Sequence, residues 1–185
     1  MNVHSPYRWI VVRFTWTGLL SLFFVSGFTQ DGYEHHRVES WDAQVGWFAT
    51  GMQPRRLYPR AFHFYEIGIS RSHIRYGGHH GPVSLIHHFA VGYHGREENL
   101  WSVSAGSSVQ LWMVHLGANG VLYTDGHSAN FKLRPQFGLG GGRVRAYFAF
   151  QIPTIYNRRL DPLRRAYWAA GVRWGIPFSR ERTDL

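Results

Sequence analysis

Over residues 131–152 the chain alternates with a period of two, and the manner of that alternation limits what it can fold into. Phe131, Leu133, Pro135, Phe137 and Leu139 share one parity, and Asn130, Lys132, Arg134, Gln136 and Gly138 share the other. Gly140-Gly141-Gly142 reverses the chain. Val144, Ala146, Phe148, Phe150 and Ile152 then alternate with Arg143, Arg145, Tyr147, Ala149 and Gln151. A period of two belongs to strands with two unlike faces. One face is aromatic and aliphatic without a break; the other carries Lys and Arg. A soluble β-protein buries the first face in a core and leaves the cations in water. A membrane barrel sets the first face against lipid and turns the cations into its lumen.

The same alternation recurs over 41–49, 65–72, 85–93, 101–111, 114–122 and 166–178. Past Leu111 the parity flips, as a two-residue hairpin at Leu111-Trp112 or a β-bulge requires. Turn and loop signals separate the segments: PRRLYP at 54–59, YGGHHGP at 76–82, HGREEN at 94–99, Asp125-Gly126, and the basic YNRRLDPLRR at 156–165. The expectation is about eight strands, most near the 9–11 residues that cross a bilayer when tilted, with no amphipathic helix between them. If the amino end starts on the inner side, the outward loops are 51–60, 95–100, 125–128 and 153–165. The inward turns are 75–83, 111–112 and 140–142. Mostly short turns at one rim and longer loops at the other is the outer-membrane arrangement.

Composition agrees with strands. Charged residues are 17% of the chain, below the roughly 25% of ordinary soluble domains, while aromatic residues reach 17%. Residues 1–29 begin with Arg8 and Arg13, continue with an uncharged apolar run from Phe14 to Phe28, and offer Gly27 and Thr29 at a cleavage site before Gln30. This is the pattern of a secretory signal peptide; the run is short for a membrane anchor. The expected organisation is a signal peptide over 1–29, an N-terminal periplasmic segment over 30–40, a barrel over 41–178 and a tail over 179–185. No comparable apolar run follows, so membrane residence would rest on strands. The formal net charge of +9 suggests an anionic partner, and an export signal argues against nucleic acid. Cysteine is absent, which excludes disulfides, thiolate metal sites and a thiol nucleophile.

Two further features favour lipid outside. Trp41, Trp47, Tyr93, Trp101, Trp168 and Trp174 lie near strand ends on the apolar face, and such rings prefer the headgroup boundary. Glu66, Lys132, Arg134, Arg143, Arg145 and Arg173 lie on the polar face among Ser and Gly, as in the filled interior of a narrow barrel. Glu66 and Asp42 are too few to neutralise five cations, so lumenal water or an anion is expected with them.

The export signal, the eight alternating segments and a last strand ending in Phe178 resemble the small outer-membrane β-barrels of the OmpA/OmpX type. More narrowly, VLYTDG (121–126), LRPQFGLG (133–140) and RAYWAAGVRWGIPF (165–178) resemble small Bacteroidetes-type outer-membrane barrels. Gln136 stands where such strands often carry Glu, and seven residues follow Phe178. The resemblance implies placement in a bacterial outer membrane and no settled activity.

Candidate chemistry is sparse. His35-His36 and His79-His80 could share a rim and bind a transition metal. His87-His88 cannot chelate as a pair, since neighbours on a strand face opposite ways. No metal site and no cofactor are expected. His127 and Ser128, with Asp125 nearby, lie at an outward loop where a lipid acyl hydrolase or transferase could act, although a turn-stabilising Asp is commoner. The glycines at 138–142 lack the helix and the Lys-Ser/Thr ending of a phosphate loop. Arg55, Arg56 and Arg60 in the first outward loop, with Arg158, Arg159, Arg164 and Arg165 in the last, form a basic rim able to clamp anionic lipid headgroups. The leading expectation is an all-β, eight-stranded antiparallel up-and-down transmembrane barrel. Its lumen would be packed and polar, and its role non-enzymatic: structural, or binding surface lipid or an unidentified protein partner. A rim enzyme and a soluble lipocalin-like binder are the competing classes.

Overall fold

Which parity points inward is the question the alternation poses, and a computed structural model answers it. It describes residues 36–51, 61–76, 82–95, 99–141, 143–155, 163 and 166–184. These form β1 (His36–Gly51), β2 (Ala61–Tyr76), β3 (Val83–Gly95), β4 (Asn99–Leu111), β5 (Val114–Thr124), β6 (Ala129–Gly141), β7 (Val144–Phe150), β8 (Ile152–Ile155) and β9 (Trp168–Asp184). Every pairing is antiparallel between neighbours, β1 pairs with β9, and β5 pairs with β6, so the sheet closes on itself. Because β7 and β8 both lie along β6, they are two pieces of one stave. The result is an eight-stranded antiparallel barrel without a free edge.

The polar parity turns inward. Along β2, Phe62, Phe64, Glu66, Ser70 and Ser72 are buried, while Tyr65, Ile67 and Ile69 face out. On β6, Asn130, Lys132, Arg134 and Gln136 are buried, and Leu133, Phe137 and Leu139 are exposed. The soluble lipocalin-like arrangement would have the opposite faces.

The register sets the barrel's width. From Gly46 the ladder runs through Glu66, Gly92 and Ser102 to Tyr123; in the other direction it runs through Arg173, Arg145 and Gly140 to Met113. The two routes end ten positions apart, at Tyr123 in β5 and at Met113 in the turn just before it. Strands in such a barrel tilt by roughly 35–45°, and at eight strands the interior is just wide enough for side chains to fill.

Four local details differ from the sequence expectation. The fourth and fifth strands meet in a two-residue hairpin, but at Trp112-Met113, one residue on: Leu111 pairs with Val114. In the glycine run Gly140 and Gly141 remain in strand, and Gly141 pairs with Val144 across Gly142-Arg143. The stave after this turn does not end at Ile152 but runs to Ile155, interrupted at Gln151. There the β6–β7 ladder stops at Gln136 and the β6–β8 ladder resumes at Leu133, on either side of Pro135, which has no N–H to donate. Finally, β1 begins at His36 and β9 runs to Asp184. Strand therefore extends beyond the expected 41–178, over 36–40 at one end and 179–184 at the other.

Candidate functional site

The interior is layered along the barrel axis. At the end that carries the longer loops, Phe48, Phe62, Phe64, Leu100, Val121, Tyr123 and Leu163 form an apolar cluster. Phe48 and Phe64 stack with ring centroids 4.8 Å apart. Polar ties cross this end too: Tyr123 donates to Gln151 Oε1 (3.0 Å), Gln151 Nε2 to Thr50 Oγ1 (2.6 Å), and Thr50 to the Trp168 carbonyl (2.7 Å). Lys132 Nζ donates to the carbonyls of Leu163 and Ala166, tying these two residues to the barrel interior. Side chains thus fill this end.

Below this cluster lies a buried charge cluster. Arg173 Nε donates to Glu66 Oε2 at 3.2 Å, and Arg173 Nη1 lies 3.2 Å from His88 Nε2. Arg134 Nη2 stands 3.9 Å from Glu66 Oε1, near enough for attraction but not for a hydrogen bond. The Arg134 guanidinium instead lies 4.9 Å from the Phe48 ring centroid and 5.7 Å from that of Tyr147, and Arg173 lies 4.8 Å from Tyr147. Aromatic faces attract such cations when water is excluded. Asn119 donates to Gln136 beside them (2.9 Å).

Toward the turn end the interior opens into a cavity of about 560 Å³. Ser72, Gln110 and Arg145 border its inner part, and Trp112, Arg143 and Arg180 are exposed at its mouth. Asp42 is its one carboxylate among the described residues, and it accepts from Ser40 (2.9 Å), Ser72 (3.4 Å) and Ser70 (3.5 Å).

Of the expected lumen residues, Glu66, Arg134 and Arg173 come together. Lys132 serves the loop end, Arg145 lies on the cavity side, and Arg143 sits in a turn, exposed. His88, His115, Asn119 and Gln136 are buried as well; they were not among the expected lumen residues, although their parity carried the signal. The basic-rim residues Arg55, Arg56, Arg60, Arg158, Arg159, Arg164 and Arg165 lie outside the described residues, as do His35, His79 and His80. Among the described residues no three His, Asp or Glu side chains gather as a metal site. His87 and His88 do face opposite ways: His87 is outside, 2.8 Å from Ser107 Oγ, and His88 is inside.

Asp125 is occupied by its turn. Its Oδ1 accepts from the backbone N–H of His127 (2.9 Å) and of Ser128 (2.6 Å). These two bonds hold its carboxyl below the usual range. Ser128 Oγ is buried without a hydrogen-bond partner among the described residues, so no hydrogen-bonded His–Ser dyad is formed there.

The outer surface carries a broad apolar band, with Ile67, Leu116 and Phe137 exposed on it, interrupted by the outward His87–Ser107 pair. Tyr93 and Trp101 pack together at the loop end, ring centroids 4.7 Å apart; Trp41 lies toward the turn end under Arg71, 5.5 Å away. Beyond Trp41 the outward residues become charged, with Arg37 and Arg71 each 2.8 Å from Glu39. Compared with family models, with curated proteins and with solved structures, the chain matches none.

Proposed function

We propose that this chain is an integral β-barrel of a bacterial outer membrane, exported by a signal peptide over 1–29. We further propose that it is non-enzymatic, does not conduct through its filled middle, and acts through its rims on anionic surface lipid or a protein partner. The observation that carries this reading is the outward face: Ile67 is 69% exposed, Leu116 58% and Phe137 48%, on three different strands. An apolar surface far larger than a few hundred Å² is not left in water by a monomeric soluble protein, and a closed barrel meets the demand that no backbone group face lipid unpaired. The aromatic residues toward both ends and the charged fringe beyond Trp41 are what an interfacial boundary requires. The resemblance of 121–126, 133–140 and 165–178 to small Bacteroidetes-type barrels points the same way, and the sealing of the loop end by Lys132, Gln151 and the aromatic cluster supports a closed lumen. The Asx turn at Asp125 favours the non-enzymatic reading over a rim hydrolase.

Fractionation of a Gram-negative host expressing the full chain tests this. The protein is expected in the outer-membrane pellet, released by detergent, and faster on a gel unheated than boiled. Recovery in the soluble fraction with heat-independent migration would end the membrane reading.

A further inference from the structure

The cavity at the turn end has the chemistry of a binding site that the rest of the barrel does not require. Its inner wall holds Arg145, 8% exposed, whose Nε has no hydrogen-bond partner. Among the described residues its guanidinium makes no salt bridge: Glu66 is engaged by Arg173, and Asp42, though it attracts Arg145, is held by serine hydroxyls. A buried guanidinium with its Nε left without an acceptor is a costly arrangement for a fold to keep. Arg143 and Arg180 add two cations at the mouth, where Trp112 is exposed beside them, and Ile74 and Ile86 supply further apolar wall. A volume of about 560 Å³ lies within the usual range for small-molecule pockets. A planar guanidinium at the inner end of an apolar-walled pocket matches the two oxygens of a phosphate or carboxylate.

We propose that this cavity binds a small organic oxyanion, its charged head on Arg145 and its short apolar body against Ile74, Ile86 and Trp112, with Arg143 and Arg180 drawing it in. The site depends on the barrel and not on the membrane assigned to it above, so failure of one reading leaves the other standing.

Titration calorimetry on the full barrel in non-ionic detergent, with hexyl phosphate as the probe, tests the site. Saturable one-to-one binding is expected, tighter than for inorganic phosphate and absent for hexanol. Arg145→Gln should weaken it by about ten-fold or more, the worth of a charge-assisted hydrogen bond, with heat-modifiable migration confirming that the variant folds. Arg180→Gln, at the exposed mouth, leaves the fold intact and should weaken binding by about three-fold through lost long-range attraction. Absence of saturable binding, or unchanged affinity in Arg180→Gln and in folded Arg145→Gln, would overturn the site. Equal affinities for hexyl phosphate and inorganic phosphate would overturn the apolar half of the assignment.

Discussion

Glu66 is the one carboxylate, among the described residues, that faces Arg134 and Arg173 in the middle of the barrel. Glu66→Gln would leave two guanidinium groups buried without a counter-charge, and breaking a buried pair from one side typically costs about 3–5 kcal/mol. Urea unfolding of the barrel, followed by the loss of heat-modifiable migration, should register that loss. Glu39→Gln removes a partner of Arg37 and Arg71 whose side chains are about 40% exposed, and should cost under about 1 kcal/mol. Equal losses in the two variants would refute the buried cluster. At this scale parity put Glu66, Lys132, Arg134, Arg145 and Arg173 inside before any coordinates. It could not say that Glu66 meets Arg173 while Lys132 meets the carbonyls of Leu163 and Ala166. Those partners are chosen by the ten-residue stagger around the barrel, a property of closure that no single strand carries.

The strands themselves were legible wherever their two faces differed. They were not where the contrast weakened: residues 36–40 are polar but for the inward Val38, and 179–184 are polar throughout, so β1 and β9 read as shorter than they are. Nor did residue type announce the Trp112-Met113 hairpin. Trp112 has φ +54°, a conformation that glycine or asparagine usually supplies in such turns. Gln110 braces it by donating to the Trp112 carbonyl (2.9 Å) and to the Gly140 carbonyl (3.1 Å). Close approach between staves makes a separate demand. A Cβ on Gly68 would lie 2.2 Å from the Phe89 carbonyl oxygen and 2.7 Å from the Ala90 Cα, whereas one on Gly141 meets nothing within 4 Å. Gly68→Ala must push β3 away and should cost about 1–3 kcal/mol, the usual penalty of overpacking, while Gly141→Ala should be near neutral. The same urea titration compares them, and a neutral Gly68→Ala would show that β2 and β3 are less closely paired than described.

For the whole molecule, the sequence carried the inversion of its polarity, because eight segments agreed on it. The cavity escaped it, since an unfilled volume depends on how far opposing side chains reach across the lumen, and Ser40, Ser72 and Ser84 are simply too short to meet there. What surrounds the band can be measured with one guest residue. Ala118 faces outward in the middle of β5, between Ser107 and Pro135. In water, Ala118→Arg is a surface change worth within about 0.5 kcal/mol. Near the midplane of a bilayer the same substitution costs about 2–4 kcal/mol, falling to about 0–1 near the interface. Val114→Arg, at the turn end of the same strand and half exposed, supplies the interfacial comparison. Reversible urea unfolding from liposomes should therefore separate the two variants by about 2 kcal/mol or more, with Ala118→Arg the less stable. A band that faces water, or another protein instead of lipid, has no reason to grade the cost with distance from the middle of the strand, so equal losses at the two positions would remove hydrocarbon as its solvent.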